Sequence, residues 1–405
     1  MSSNVAMPPN WDDADYLNQN PDVARAVALN LFPSGWGHYC IFGKDEGRSP
    51  GQTRGFSNLN GSITTRDCLD PWCYLEITPN SGVKPCCNIW PIAVWDPNGI
   101  PLEDLRNSEP FKLLRHQLLT GSLSNICRIC HIRPMVPVED FRQSLQRQIG
   151  VSSNQDGILA QPLRQLRIEV TKKCNLRCVY CAVSQPGYSA TEMAASSFDE
   201  LVRLISQQPR EMEIFVNGHG ETTYHPDWLS LCNTIVKQGF RPSIITNLAK
   251  SLNRDEAACL AKFRMIQISI DTVDALQLAK IRRRVKLSNI VKNIHMIRNE
   301  ATTNNQVPAF SISCGIYDAN YASLVELPGF CASLGISSVT FWQLIKYDDL
   351  PGAPNVYPIM SLDCSIISEV IRILEHTIEL LKLHGIRVEV AGEFIESWKA
   401  RVKSS

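Results

Sequence analysis

Six short runs rich in β-branched and other apolar residues recur between residues 166 and 345, each separated from the next by a stretch with helical periodicity. They are LRIEVT at 166–171, EIFVNG at 213–218, SIITN at 243–247, IQISID at 266–271, FSISCGI at 310–316 and VTFWQLI at 339–345. Strands that alternate with helices return to the same end of a sheet by crossover rather than by hairpin, so the pattern predicts a parallel α/β sheet. All C-terminal strand ends of such a sheet open on one mouth, which is where a site is expected.

Local signals support the helices between these runs. Ser197 with Glu200 reads as a capping box before LVRLI, Asp227 as the cap of WLSLCNTIV, and Pro328 suits the first turn of a helix reaching Leu334. A long amphipathic run from Cys364 to Leu383 stops at Gly385, which fits a left-handed cap, and IRVEV adds a seventh strand. Residues 161–350 are therefore expected as the core and 351–405 as a helix and strand extension.

Ahead of the core, residues 1–60 read as a small, mostly irregular module with a helical stretch from Tyr16 to Ala28 and a glycine-rich passage through Gly35, Gly43, Gly47 and Gly51. YLNQNPDVARAV followed by HYCIFGKDEGR resembles a short motif recurring in bacterial multi-domain chains, some of them concerned with carbohydrate. Residues 61–135 are cysteine-rich, and 136–160, with SSNQDG at 152–157, read as a linker.

Forty basic and forty acidic residues cancel, so no net field favours nucleic acid or an anionic membrane surface. The first twenty residues lack a basic stretch followed by an apolar run, and no segment approaches the roughly 20 apolar residues of a spanning helix. A cytoplasmic protein is expected. Fifteen cysteines are many for that compartment, where clustered thiols ligate metals or do chemistry more often than they pair.

The first cluster follows the first core strand, in TKKCNLRCVYCAVSQPG: Cys174, Cys178 and Cys181 at CxxxCxxC spacing, with Tyr180 before the last. Zinc usually takes a fourth thiolate or imidazole close by, and this loop supplies none, although a zinc site or a set of buried thiols remains the alternative. Three thiolates suit an iron-sulfur cube with one iron left open to a reactant. NGHGETTYHP ends the next strand, with Gly218 and Gly220 allowing close backbone approach and Glu221 following.

CxxxCxxC after a strand, with an aromatic residue before the third cysteine, resembles the signature of the radical S-adenosylmethionine (SAM) superfamily. NGHGE resembles that family's SAM-binding turn, with His219 between the glycines and Thr222 where proline is usual, and with His225 and Pro226 in place. The resemblance implies a partial (β/α)6 TIM-type barrel and a [4Fe-4S] cluster with SAM at its open iron. It further implies an electron donor such as flavodoxin or ferredoxin, and reductive cleavage to a 5′-deoxyadenosyl radical that takes hydrogen from an unactivated carbon. By resemblance Glu221 lies near the SAM amino group, and Tyr180, Gly218, Gly220, Thr246, Asn247, Ser269 and Asp271 line the cofactor site; polar strand ends that cap the next helix are the plainer reading of the last four. Cys314, near the end of the fifth strand, is either a buried strand cysteine or a hydrogen donor facing the mouth. Cys232 and Cys259 read as small core residues, and Cys331, Cys364, His116 and His376 as structural.

The second cluster comes from CLDPWCYLEITPNSGVKPCCNIW and SNICRICHIRP. A four-thiolate set of Cys68, Cys86, Cys127 and Cys130 is expected, with Cys87 or Cys73 as a substitute, because adjacent residues on an extended strand face opposite ways. Iron-sulfur and zinc are both open. The segment resembles the SPASM auxiliary-cluster domain, here placed before the core rather than after it, which implies a second [4Fe-4S] cluster. SPASM relatives commonly modify ribosomally made peptides, so a peptide is the first expected substrate; a sugar or other small metabolite is the second, and a non-catalytic metal-binding scaffold the third.

Overall fold

The computed structural model describes residues 11–20, 23–24, 27, 34–39, 48, 63–89, 91–96, 101–128, 130, 132–150, 163–302, 307–344 and 356–404. Gly43, Gly47, Gly51 and the SSNQDG passage lie outside the described residues. The chain divides into two compact units, Met1–Leu166 and Arg167–Ser405.

In the first unit, helix α1 (Asp13–Gln19) starts at Asp12, whose carboxylate accepts from the amides of Ala14 at 2.9 Å and Asp15 at 3.1 Å. Strand β1 (Thr64–Arg66) later pairs antiparallel with β5 (Met135–Pro137). Between them β2 (Tyr74–Ile77), β3 (Gly82–Lys84) and β4 (Ala93–Val94) form an antiparallel meander. Helices α2 (Glu109–Thr120) and α3 (Val138–Ile149) bury Leu118, Phe141 and Leu145 against Trp72, and Cys68, Cys73 and Cys127 pack on the margin of that core. The cysteines thus arise from chain held by a small hydrophobic centre.

In the second unit the sheet runs β6 (Gln165–Ile168), β8 (Glu213–Phe215), β9 (Ser243–Thr246), β10 (Met265–Ser269), β12 (Ala309–Ile316), β13 (Ser338–Gln343) and β14 (Arg387–Val390). Every pairing from β8 to β14 is parallel. A two-residue ribbon, β7 (Arg177–Cys178) with β11 (Arg282–Arg283), stands apart from it. The connections include α4 (Ser196–Ser206), α5 (Trp228–Lys237), α6 (Arg254–Leu260), α7 (Ala275–Ile281), α8 (Leu287–Thr302), α9 (Leu327–Ser333) and α10 (Cys364–Leu383), and α11 (Phe394–Lys403) follows the last strand.

Alternation along the strands sorts the two faces of this sheet. Ile266 and Ile268 of β10 and Ile312 of β12 are fully buried. On the opposite face the Gln267 amide donates to Thr340 Oγ1 at 3.2 Å, although β12 lies between their strands. Such a reach across a strand requires that face to be concave, as in a partial barrel.

Pro328 lies in the first turn of α9, Gly385 takes φ +70 just after α10, and the seventh strand joins β13, all as read from the sequence. The capping box does not form: α4 starts at Ser196 with Ala195 at the cap position, so Ser197 already lies within the first turn and its amide donates to Ala194 O at 2.9 Å. Asp227 occupies the cap of α5 without a side-chain bond to it, and its own amide donates to His225 Nδ1 at 3.1 Å.

Candidate functional site

The loop after β6 carries the three cysteines, and the loop after β8 braces it. Glu221 N–H donates to Lys173 O at 2.8 Å. A Cβ on Gly220 would stand 2.3 Å from Thr171 O and 2.5 Å from Lys173 O, and one on Gly218 would stand 2.2 Å from Glu169 Cγ. Here the glycines let two loops of the chain approach each other. Glu169, which sequence reading passed over, is buried and accepts from the His219 amide at 2.5 Å. His225, also buried, has Nδ1 accepting from Asp227, which leaves the proton on Nε2 to be donated to Met193 O at 3.0 Å.

Glu221 is the hub of the next layer. Its Oε1 accepts from Thr223 N, Thr223 Oγ1 and Thr246 Oγ1 at 3.2, 2.8 and 2.8 Å, whereas Oε2 accepts from Asn247 N at 2.7 Å. The Asn247 side chain in turn donates from Nδ2 to Asn175 Oδ1 at 2.8 Å and reaches Cys174 Sγ at 3.6 Å. Glu221 and Asn247 are both buried, so a carboxylate and an amide stand directly behind the first cysteine.

Asp271 is closed in an ion pair. Its side chain is fully buried, with Arg282 Nε at 2.7 Å from Oδ2 and Nη2 at 2.9 Å from Oδ1. The Tyr180 phenol donates to the same Oδ2 at 2.8 Å. Carboxylate and phenol are thus both bonded within the protein. The Tyr180 hydroxyl is held well above its ordinary pKa, first by burial. Asn320 completes the knot, its amide donating to Asp271 O at 2.7 Å and Gly315 O at 2.6 Å.

Burial pushes Cys174 up to about 11, with the Glu221 carboxylate adding to it, and Cys178 up to about 12, with the Arg282 cation opposing. Cys181 is raised by burial as well. The thiols lie within electrostatic reach of one another. Among the described residues, no three His, Cys, Asp or Glu side chains are gathered as a metal ion would gather them. As a donor set, three soft thiols on one loop with a carboxylate behind them fit an iron-sulfur cluster with one iron left free of protein.

Cys314 takes the position of a buried strand cysteine. Ser313 Oγ accepts from Trp342 Nε1 at 3.0 Å, and the Trp342 ring stands 2.6 Å from where a Cβ on Gly315 would be. Ser313 and Gly315 therefore face the concave side, and Cys314 between them faces the helices, fully buried and within electrostatic reach of Cys331 on α9. Ser269 does share the concave side with Gln267 and is half-buried there.

In the first unit, Cys68, Cys86, Cys87, Cys127 and Cys130 line one cavity together with Asp70 and Arg133. Cys73 is not among them: it ends the helical turn Asp70–Cys73, where its thiol donates to Leu69 O at 3.2 Å, and it packs against the core. Burial raises Cys68 and Cys127 and pushes Cys86 up to about 12. Arg66, also missed in the sequence, donates from Nε to Cys127 O at 2.7 Å, from Nη1 to Arg133 O at 2.8 Å and from Nη2 to Arg128 O.

Residues 168–327 match the model of the radical SAM superfamily. Among curated proteins it is 25% identical over 189 residues to the tungsten-containing aldehyde ferredoxin oxidoreductase cofactor-modifying protein of Pyrococcus furiosus, covering 45% of this chain and 52% of that protein. It is 26% identical over 175 residues to GTP 3′,8-cyclase of Mycobacterium sp. (strain KMS), covering 42% and 49%. The chain thus spans about half the length of these relatives. Among solved structures, SuiB of Streptococcus suis bound to S-adenosylmethionine aligns at a TM-score of 0.45 and 15% identity, covering 63% of this chain and 55% of that one. Native anSMEcpe with bound AdoMet aligns at 0.45 and 17%, covering 56% and 63%. Among the described residues no helix is long and apolar enough to cross a membrane.

Proposed function

We propose that this chain is a radical SAM enzyme that abstracts hydrogen from an unactivated carbon of a peptide substrate. The observation that carries the reading is the junction of Cys174, Asn247 and Glu221 at neighbouring strand ends. Cys174, Cys178 and Cys181 hold the cluster, and Glu221 Oε2, with one hydrogen bond from the chain, keeps acceptor capacity for an ammonium group. When bound, the cluster and SAM supply one electron to the sulfonium and thereby a 5′-deoxyadenosyl radical. The concave face with Gln267, Ser269, Ser313, Thr340 and Trp342 then faces the substrate and excludes water from it.

In the same reading residues 61–135 form an auxiliary domain in which Cys68, Cys86, Cys127 and Cys130 hold a second cluster, with Cys87 as the available substitute. That cysteine-lined cavity, together with the segment's likeness to SPASM, is what favours a peptide. A small-molecule substrate is the second reading, favoured by relatives whose names refer to GTP and to a cofactor. The electron donor would be a cytoplasmic flavodoxin or ferredoxin.

The test is anaerobic reconstitution with iron and sulfide, then reduction with SAM present. Cluster absorbance and 5′-deoxyadenosine are expected, and both the absorbance assigned to this site and the nucleoside should vanish when Cys174, Cys178 and Cys181 are replaced by alanine. Tightly held zinc with no 5′-deoxyadenosine from the unaltered chain would refute the reading.

A further inference from the structure

The β7–β11 ribbon joins the cysteine loop to the IRRR segment through Arg282 opposite Cys178 and Arg283 opposite Arg177. Val179 N–H adds a bond to Ile281 O at 2.9 Å. Two residue pairs do not hold a ribbon together in water by themselves. The chain nevertheless leaves this ribbon through Arg284 at φ +76, a conformation that a non-glycine residue keeps only when its surroundings impose it. Two residues earlier the Arg282 side chain is closed on both oxygens of Asp271, with 8% and 0% of the two side chains exposed.

Directly opposed residues of an antiparallel ribbon project their side chains to the same side, about 5 Å apart at Cβ. Arg282 is therefore a buried cation beside Cys178, and its guanidinium also stands 5.6 Å from the centre of the Tyr180 ring. Asp271 is the counter-charge, and Tyr180, two residues after Cys178, donates to it. One ion pair thus grips the cysteine loop from both strands of the ribbon and anchors it beyond the end of β10.

We propose that the Arg282–Asp271 pair positions the cysteine loop and, with its two charges matched, holds the reduction potential of the cluster there against the shift that either charge alone would cause. The proposal rests on the reading of Cys174, Cys178 and Cys181 as cluster ligands. The reduced cluster carries one more negative charge than the oxidised one, so a neighbouring cation favours reduction and a neighbouring anion opposes it. Paired, the two charges nearly cancel at the cluster. Unpaired, each acts alone in a site of low dielectric.

The two single substitutions should therefore shift the potential in opposite directions. The unaltered chain is reconstituted anaerobically, and the reduced-cluster electron paramagnetic resonance signal that changes on adding SAM is followed in a redox titration. Arg282→Gln leaves Asp271 unpaired, and the midpoint should fall; Asp271→Asn leaves Arg282 unpaired, and the midpoint should rise. The double variant should return close to the original value. Shifts of the same sign, or unchanged midpoints with iron retained, overturn the proposal, because a purely structural pair has no reason to act with opposite signs. If Arg282→Gln loses its iron, Arg282→Lys and Asp271→Asn decide: a lysine midpoint near the original with a raised asparagine midpoint supports the proposal, and any other pairing overturns it. A SAM-responsive signal missing from the unaltered chain would instead refute the cluster reading itself, before any variant is made.

Discussion

The amide of Glu221 donates to the carbonyl of Lys173 at 2.8 Å, so the residue behind the site is stapled to the residue that precedes its first cysteine. Gly220 makes this possible, because a side chain there would run into the Thr171 and Lys173 carbonyls. Gly220→Ala should therefore push the two loops apart. Since the obstructing atoms are backbone, the expected cost is at the upper end of overpacking, about 3 kcal/mol, with loss of most iron at the Cys174 loop. Gly329→Ala is the control: nothing lies within 4 Å of its added Cβ and it sits inside α9, so a gain of about 0.4–1 kcal/mol is expected. Thermal unfolding and iron content of the two variants check both.

Arg66 touches three carbonyls of the chain around the CxxC pair, those of Cys127, Arg128 and Arg133. A lysine offers a point charge rather than a planar fork and cannot hold the three together. Arg66→Lys should lower metal retained in the first unit while leaving the SAM-responsive cluster signal unchanged. Metal analysis with zinc and iron counted separately, in a chain lacking Cys174, Cys178 and Cys181, reads the first part directly.

Cys314 tests the sidedness of β12. Facing the helices, it packs without touching the concave face, so Cys314→Ala should cost about 1 kcal/mol for the lost buried sulfur and leave 5′-deoxyadenosine formation and substrate turnover intact. Loss of turnover with SAM cleavage retained would place the thiol on the mouth after all.

The contrast between Cys314 and Asp271 shows what the sequence could and could not convey. Periodicity placed β6, β8, β9, β10, β12, β13 and β14, seven of the ten strands of the large sheet, because each is a dense apolar run, and the cysteine and glycine spacing located the mouth because strand ends are local features. Which face Cys314 takes depends on a single-residue register, and the deciding neighbour, Trp342, is on another strand. Asp271 was legible as a polar strand end, but its partner Arg282 stands in an IRRR run where three identical residues give no hint of which one turns inward. The capping box at Ser197 failed for a related reason: α4 begins two residues earlier than the motif suggests.

Two core thiols predict the alkaline limit of stability. Burial pushes Cys259 up to about 12 and Cys331 up to about 12, both above the ordinary thiol value. Because the folded values are the higher ones, the stability they contribute is fully present below the ordinary thiol range of about 8.5 and is lost as pH rises toward the folded values. Unfolding should therefore become easier between pH 8 and pH 11, estimated from about 8.5 for a free thiol. Other groups also titrate in this window, so the informative quantity is the slope difference: urea midpoints for Cys259→Ala together with Cys331→Ala, under reducing conditions, should fall less steeply with pH than those of the unaltered chain. Equal slopes would mean that these thiols ionise as readily inside the protein as outside, against their complete burial beside apolar neighbours.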